Sequence, residues 1–464
     1  MKKDLQMVMH SFLNVSLLDN PLWGKSFVDD EMRHVMSAET YVDNCMAVEL
    51  ALAKVQANLG IIPKEAAEAL ARAATDFSFD MDDLAKQTAI VGYPILPIVE
   101  QFAAAAGASG RWLHWGATTQ DIMDTATILQ LRDALTLIEQ RLLNVRQALA
   151  DLAHQYRDTP MAGRTHLQHA LPVTFGWKAA VWMSAVVQHL ERIKQLRARL
   201  EVVQFSGASG TLASLGTEGL LVQEALAKEL GLRVPMITWH AMRDHIAEGV
   251  SLMALIGGSL GKIATDISIM MTTELAEVSE PFETHRGASS TMPQKQNPIS
   301  CELILAAAKL LRNHAASSFD ALLHDFERAT GPWHLEWSAV PESMCLCSGA
   351  LAQAQFMLEG LQVHEDAMAR NLGSSGGLIV AEAVMMALAP YIGRINAHDL
   401  VYACCRKAQA QNIHLCAALE AEKEVRTYLS SDEIKSLTTP GNYVGLAGDM
   451  VDRMLKHIEY APRD

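Results

Sequence analysis

The chain has 464 residues, half of them hydrophobic, and carries 53 acidic against 38 basic side chains, a formal charge of −15. That length exceeds one ordinary hydrophobic core, and the composition excludes intrinsic disorder. The negative balance disfavours adhesion to nucleic acid or an anionic membrane, so an anionic substrate has to be met by local positive charge.

The chain opens with two lysines, Lys2 and Lys3, but no apolar run of signal length follows them, which makes the cytoplasm the expected location. Turn signals at Gly60–Pro63 and Gly92–Pro94 separate short helical patterns, read as an N-terminal helical domain over 1–110. From Ile128 the pattern sharpens. Ile128, Leu131, Leu135, Ile138, Leu142, Val145, Leu149 and Leu152 recur at alternating intervals of three and four, a helix-bundle seam. Neither Pro nor Gly interrupts Ala117–Thr159, so a helix of about 40 residues and about 60 Å is predicted there. Breaker-free runs at 177–206 and 299–330, and a stretch broken only by glycine at 235–281, predict further long helices. The apolar stretch 249–271 contains Lys262 and Asp266, which a lipid-facing span disfavours, so it reads as a buried helix.

The fold expectation is therefore all-α. A central long-helix bundle spans 111–365, a smaller helical domain spans 366–464, and the apolar stripes are wide enough to serve other subunits. The seven cysteines lack zinc-like spacing, Cys345/Cys347 and Cys404/Cys405 lying too close together, and read as reduced, mostly buried thiols with no metal site. Three polar loops, 114–121, 161–174 and 283–298, break the helical monotony, and chemistry is usually placed on such loops.

The last of these carries the most unusual residues. Gly287-Ala288-Ser289-Ser290-Thr291-Met292-Pro293-Gln294-Lys295-Gln296-Asn297-Pro298 sets adjacent hydroxyls, a lysine and an asparagine between backbone-restricting prolines. A serine hydroxyl is a poor base unless a cation and N–H donors stabilise its alkoxide, and Lys295 is the obvious cation. The bland alternative is a polar surface turn.

This segment resembles the signature of the fumarase/aspartase superfamily, Gly-Ser-Ser-x-Met-Pro-x-Lys-x-Asn-Pro, departing at Ala288. His114-Trp115-Gly116-Ala117-Thr118-Thr119-Gln120-Asp121 and Gly163-Arg164-Thr165-His166-Leu167-Gln168-His169-Ala170 are similar to the first and second family regions. With Gln204–Gly210 and Trp239–Asp244, the resemblance spans essentially the whole chain and points to the branch holding adenylosuccinate lyase and 3-carboxy-cis,cis-muconate cycloisomerase, the latter being the nearer in sequence. It implies a cofactor-free homotetramer whose active sites each draw three loops from three subunits. The implied reaction takes a proton from the carbon beside a carboxylate and expels a group from the adjacent carbon, usually releasing fumarate.

By that resemblance Ser289 is the base, Ser290 a donor to a carboxylate, and Lys295 and Asn297 bind and polarise carboxylates, with Met292 beside them. His166 is the general acid for the leaving group. Thr118, Thr119 and Gln120 hold an anion at a helix N-terminus. Thr165, Gln168 and Gln204 are neutral substrate contacts, His114 is an assisting imidazole, and Arg243 and Arg328 are carboxylate partners or else salt-bridge residues. His169 is expected to hydrogen-bond within its loop, and Trp333–Trp337 reads as packing in preference to an aromatic binding box.

Two departures bear on substrate. Cycloisomerases of this branch commonly carry Trp at the position of His166, which shifts weight toward carbon–nitrogen elimination. Gln296 stands where adenylosuccinate lyases have Arg, and no phosphate-cradling glycine motif occurs. The leading expectation is a lyase releasing fumarate from a small N-substituted aspartate or similar succinyl compound, a di- or tricarboxylate. The alternatives are lactonising cycloisomerisation of a carboxymuconate and, of another class, a silent structural protein on the same fold, as in lens crystallins. Retention of Ser289, His166, Lys295 and Asn297 together argues against the last.

Overall fold

A computed structural model describes residues 15–460 except 282, 285, 288–290 and 293. Long helices dominate it: Ala38–Asn58, Thr119–Gln155, Phe175–Leu200, Asp244–Met270, Ile299–Asp320 and Pro332–Glu359. Among the described residues the chain is all-α apart from two short antiparallel pairs, Pro160–Thr165 with Gln168–Thr174 and Val278–Ser279 with Gln362–Val363, and an isolated bridge between Val202 and Arg233.

The seam predicted from the three-and-four spacing is the buried face of the Thr119–Gln155 helix. Ile128, Leu135, Ile138, Leu142, Val145 and Leu149 are completely inaccessible. Its 37 residues span about 55 Å at about 1.5 Å per residue. The Asp244–Met270 helix is long and apolar enough to cross a membrane by composition alone, but Val250, Met253, Ile256, Leu260, Ile263 and Ile267 are packed inside the protein, as Lys262 and Asp266 led us to expect.

Two compact units are present. One comprises 1–142, 189–260 and 303–352, and the other 143–188, 261–302 and 353–464. Every division falls inside one of the long helices. The first unit has its own amino-terminal core, in which Phe102, Leu70, Ile62 and Met46 pack with Leu113. The second contains a carboxy-terminal core of Val384, Leu388, Val401, Leu415, Leu419, Val425 and Ile434. Cys45, Cys301, Cys345, Cys347 and Cys404 are buried, Cys405 and Cys416 partly so, and all seven are free thiols.

The segment 161–174, read from sequence as a polar loop, is a β-hairpin. Only Met161, Ala162, Pro172 and Thr174 along it are buried, too short a stretch for strand alternation to show among its His, Gln and Arg residues.

Candidate active site

In the first unit the organising group is Asp121, in the first turn of the Thr119–Gln155 helix. Its carboxylate is fully buried and accepts four N–H donors: Thr118 at 3.0 Å, Ser206 and Gly207 at 2.9 Å, and His240 Nε2 at 2.8 Å. The Thr118 bond is the backward half of a capping box. The remaining bonds tie the 204–210 and 239–244 segments to the helix start, so one carboxylate sets the place of three chain segments.

Gln120 is buried and used at both ends of its amide. Nε2 donates to His240 O at 2.9 Å, and Oε1 accepts from Arg328 Nε at 3.1 Å. Arg328, half-buried, also reaches Thr118 Oγ1 at 3.5 Å and Ala208 O at 3.2 Å. Among the described residues no carboxylate pairs with it, so its charge is available to an anion at the helix start, where Thr118 and Thr119 are half-exposed. Gln204 is completely buried, with its main-chain N–H and C=O both paired to Thr125 Oγ1 at 2.9 Å. Its Nε2 has no partner among the described residues, a donor whose burial without an acceptor costs about 1–3 kcal/mol.

His114 has φ of 58°, the left-handed region. Glu49 holds it there: one carboxylate oxygen accepts the main-chain N–H at 3.0 Å and the other meets Nδ1 at 2.5 Å. Burial pushes the imidazole pKa down, but the hydrogen bond and charge of Glu49, with Asp121 behind, outweigh it and leave the pKa raised. His114 thus keeps its proton to higher pH. Glu49 was not picked out in sequence, although a lone carboxylate in the run Ala47-Val48-Glu49-Leu50-Ala51 was the available signal.

Arg243 requires a correction. Its side chain is 1% exposed. Nη1 and Nη2 fork onto Asp124 at 2.6 and 2.9 Å, Nε bonds Glu336 Oε1 at 2.9 Å, and Nη2 also pairs with Glu336 Oε2. Four of its five N–H groups are spent on two buried carboxylates, and with its side chain 1% exposed it braces the core and is not presented to a substrate carboxylate. Glu336 belongs to the aromatic segment 333–337. Trp333 is buried and stacked on Tyr93 at 5.8 Å, while Trp337 lines an apolar cavity of about 350 Å³ with Tyr41 and Met123.

In the second unit the hairpin turn carries the predicted acid. Thr165 pairs with Gln168, leaving His166 and Leu167 as a two-residue connection with φ of 52° and 62°. Positive φ at both central positions is the type I′ pattern that normally selects Asn-Gly, so two L side chains are held under strain, which usually marks a functional position. Thr165, His166 and Gln168 are all exposed. His169 stands opposite Arg164 in the register, and burial first, then the Arg164 charge, lowers its pKa. Arg164 makes a two-pronged pair with the buried Glu277, at 2.9 and 2.7 Å.

The signature loop is anchored at its base. Glu280 accepts the N–H groups of Ser300 and Cys301 at 3.0 and 2.9 Å, capping the Ile299–Asp320 helix. Arg286 donates to Ser300 Oγ at 2.6 Å and Gln353 Oε1 at 2.8 Å. Asn297 N–H closes onto Gly287 O at 3.1 Å. Gly287 has φ of 71°, and a Cβ there would lie 2.7 Å from Asn297 O. Met292 and Lys295 are exposed and Asn297 half-buried. Ser289 and Ser290 lie outside the described residues.

Residues 22–310 match the family model described as Lyase, and residues 377–454 match Adenylosuccinate lyase C-terminus. The crystal structure of fumarate lyase from Mesorhizobium sp. BNC1 superposes with a TM-score of 0.90 at 59% identity, covering 94% of this chain and 100% of that one. The 3-carboxy-cis,cis-muconate cycloisomerase of Pseudomonas aeruginosa is 44% identical over 440 residues, 94% of this chain and 96% of its own. The N-acetyl-S-(2-succino)cysteine lyase of Enterococcus italicus is 36% identical over 439 residues, 95% and 96% respectively. Helical fold and sequence together define an enzyme of the lyase class acting on a small molecule. The chain belongs to the fumarase/aspartase superfamily.

Proposed function

We propose that the enzyme releases fumarate from a small succinyl compound, an aspartate substituted on nitrogen or its close equivalent, by β-elimination. Ser289 removes the proton beside the carboxylate. The electron pair left on that carbon forms the new double bond as the bond to the leaving atom breaks, and His166 gives that atom its proton. Lys295, Asn297 and Ser290 meet the carboxylate on which charge collects, where losing one fixed donor typically costs about 2.7–4 kcal/mol. The second carboxylate is met by Arg328 and the helix start at Thr118 and Thr119, with His114 as an adjoining cation. Thr165, Gln168 and Gln204 supply neutral contacts. The working form is a cytoplasmic homotetramer in which loops of different copies complete each site.

The observation that carries this reading is His166 itself. An imidazole stands exposed on a strained two-residue turn, the place and chemistry of an acid serving a basic leaving group. The likeness to a lyase of a succinyl thioether gives further support. A second reading, lactonisation of a carboxymuconate, is favoured by the 44% identity to a cycloisomerase.

The test is to incubate purified protein with N- and S-linked succinyl adducts and with 3-carboxy-cis,cis-muconate, following fumarate or muconate by ultraviolet absorbance. Fumarate release from an adduct supports elimination. Turnover of the muconate alone establishes the second reading, and failure of every succinyl adduct rejects the first.

A further inference from the structure

The turn that presents His166 is not self-sufficient. Two consecutive L residues at positive φ are strained, and an isolated two-stranded hairpin is marginal in water. The strand Pro160–Thr165 is irregular as well, its register shifting between Ala162 and Arg164. Something outside the hairpin has to determine where the turn sits.

That something is a buried carboxylate. Glu277 is completely inaccessible. It receives both Nη groups of Arg164, two residues before His166, and a third bond from Asn371 Nδ2 at 2.9 Å. Asn371 also donates to Leu275 O at 2.9 Å, which binds the Glu365–Gly373 helix to the segment bearing Glu277. The main chain of Glu277 is pinned on both sides, its N–H donating to Met270 O and its C=O accepting from His364 N–H, each at 2.9 Å. A two-pronged guanidinium–carboxylate pair fixes orientation as well as distance. The Arg164 strand position is therefore rigidly referenced to the Asp244–Met270 helix end.

We propose that Glu277 is a positioning residue for the reaction: acting through Arg164, and steadied by Asn371, it holds the His166 turn in its one productive conformation. The inference rests on the reading of His166 as the acid. An ion pair buried this deeply adds little net stability once its desolvation is counted, so its benefit lies in geometry. Misplacing a catalytic group by about 1 Å can cost about a hundredfold in rate.

The experiment is a double-mutant cycle on the succinyl adduct that the wild type turns over fastest, with hydrogen–deuterium exchange of the 160–174 peptide alongside. Glu277→Gln should lower kcat about a hundredfold with KM little changed. Glu277→Asp should recover part of the loss, and Glu277→Gln should have no further effect in a His166→Gln background, because the two act as one unit. Equal loss with and without His166, or an effect on KM alone, overturns the proposal. Full activity of His166→Gln overturns the acid assignment instead. The exchange arm then still decides the structural link: faster exchange of amides 164–169 in Glu277→Gln supports it, and unchanged exchange overturns it. If Glu277→Gln does not fold, Asn371→Ala, which removes the third bond to Glu277 and the bond to Leu275 O but leaves the Arg164 pair in place, should reproduce the same pattern at smaller amplitude.

Discussion

Arg243→Leu separates a structural arginine from a substrate-binding one. The change deletes four hydrogen bonds and leaves Asp124 and Glu336, 2% and 5% exposed, as buried carboxylates without a counter-ion. Glu336 already feels burial raising its pKa, with Arg243 opposing. Stripping one partner from a buried pair typically costs about 3–5 kcal/mol, most of it the stranded charge. The stacking of the guanidinium on Trp239, 4.9 Å from the ring centroid, would be lost too. The assay is urea unfolding followed by circular dichroism. The expected result is a markedly lower midpoint, with most of the loss recovered when Asp124→Leu, Arg243→Met and Glu336→Leu are combined, since apolar replacement of a whole buried ion cluster is often neutral or stabilising. An unchanged midpoint with a raised KM would refute the reasoning and return Arg243 to the substrate.

The other predictions are simpler. Leu167→Gly, at an exposed position with φ of 62°, should relieve backbone strain and leave thermal stability unchanged or raised by about 1 kcal/mol, measured by calorimetry. Gly287→Ala should depress kcat with little change in melting temperature, because a Cβ 2.7 Å from Asn297 O breaks the closure of the signature loop and not the core. His245 is held neutral by burial and then by Arg243, with its pKa lowered from 6.5 to about 4. The unfolded chain therefore binds the extra proton first. His245 contributes stability above pH 6.5 that is lost as pH falls toward about 4. His245→Leu should flatten the pH dependence of the unfolding midpoint over that window.

Much of the fold was legible because it rests on repetition. The seam from Ile128 to Leu152 repeats often enough to name its helix, and the buried side chains are those of the pattern. The hairpin at 160–174 was not legible, since its signal is two positive-φ residues and a pair of distant partners, Glu277 and Asn371, that no local spacing discloses. The same holds for Glu49, which lies 65 positions from His114. Residue type and motif could name His166, Lys295 and Arg243 as polar groups of interest, but whether such a group is spent or available depends on partners far along the chain.

That distinction divides the polar residues into two kinds. Asp121, Gln120, Arg243 and Glu277 are buried and hydrogen-bonded to protein, and a group so engaged gains little by turning to a ligand. His166, Thr165, Gln168 and Lys295 are exposed, and Arg328 keeps a charge that no carboxylate among the described residues neutralises. Transition-state stabilisation requires donors fixed in place before charge develops, which is a role for the second set only if the first holds it still. Such bracing is present at the helix start, where Asp121 fixes the Thr118, Ser206 and Gly207 N–H groups beside the Ala208 carbonyl that Arg328 reaches, and at the hairpin, where Glu277 pairs with Arg164. On the proposed reading, the strain of two L residues at an exposed turn and the buried carboxylate paired with Arg164 serve to place His166, a service that a purely structural chain would not need.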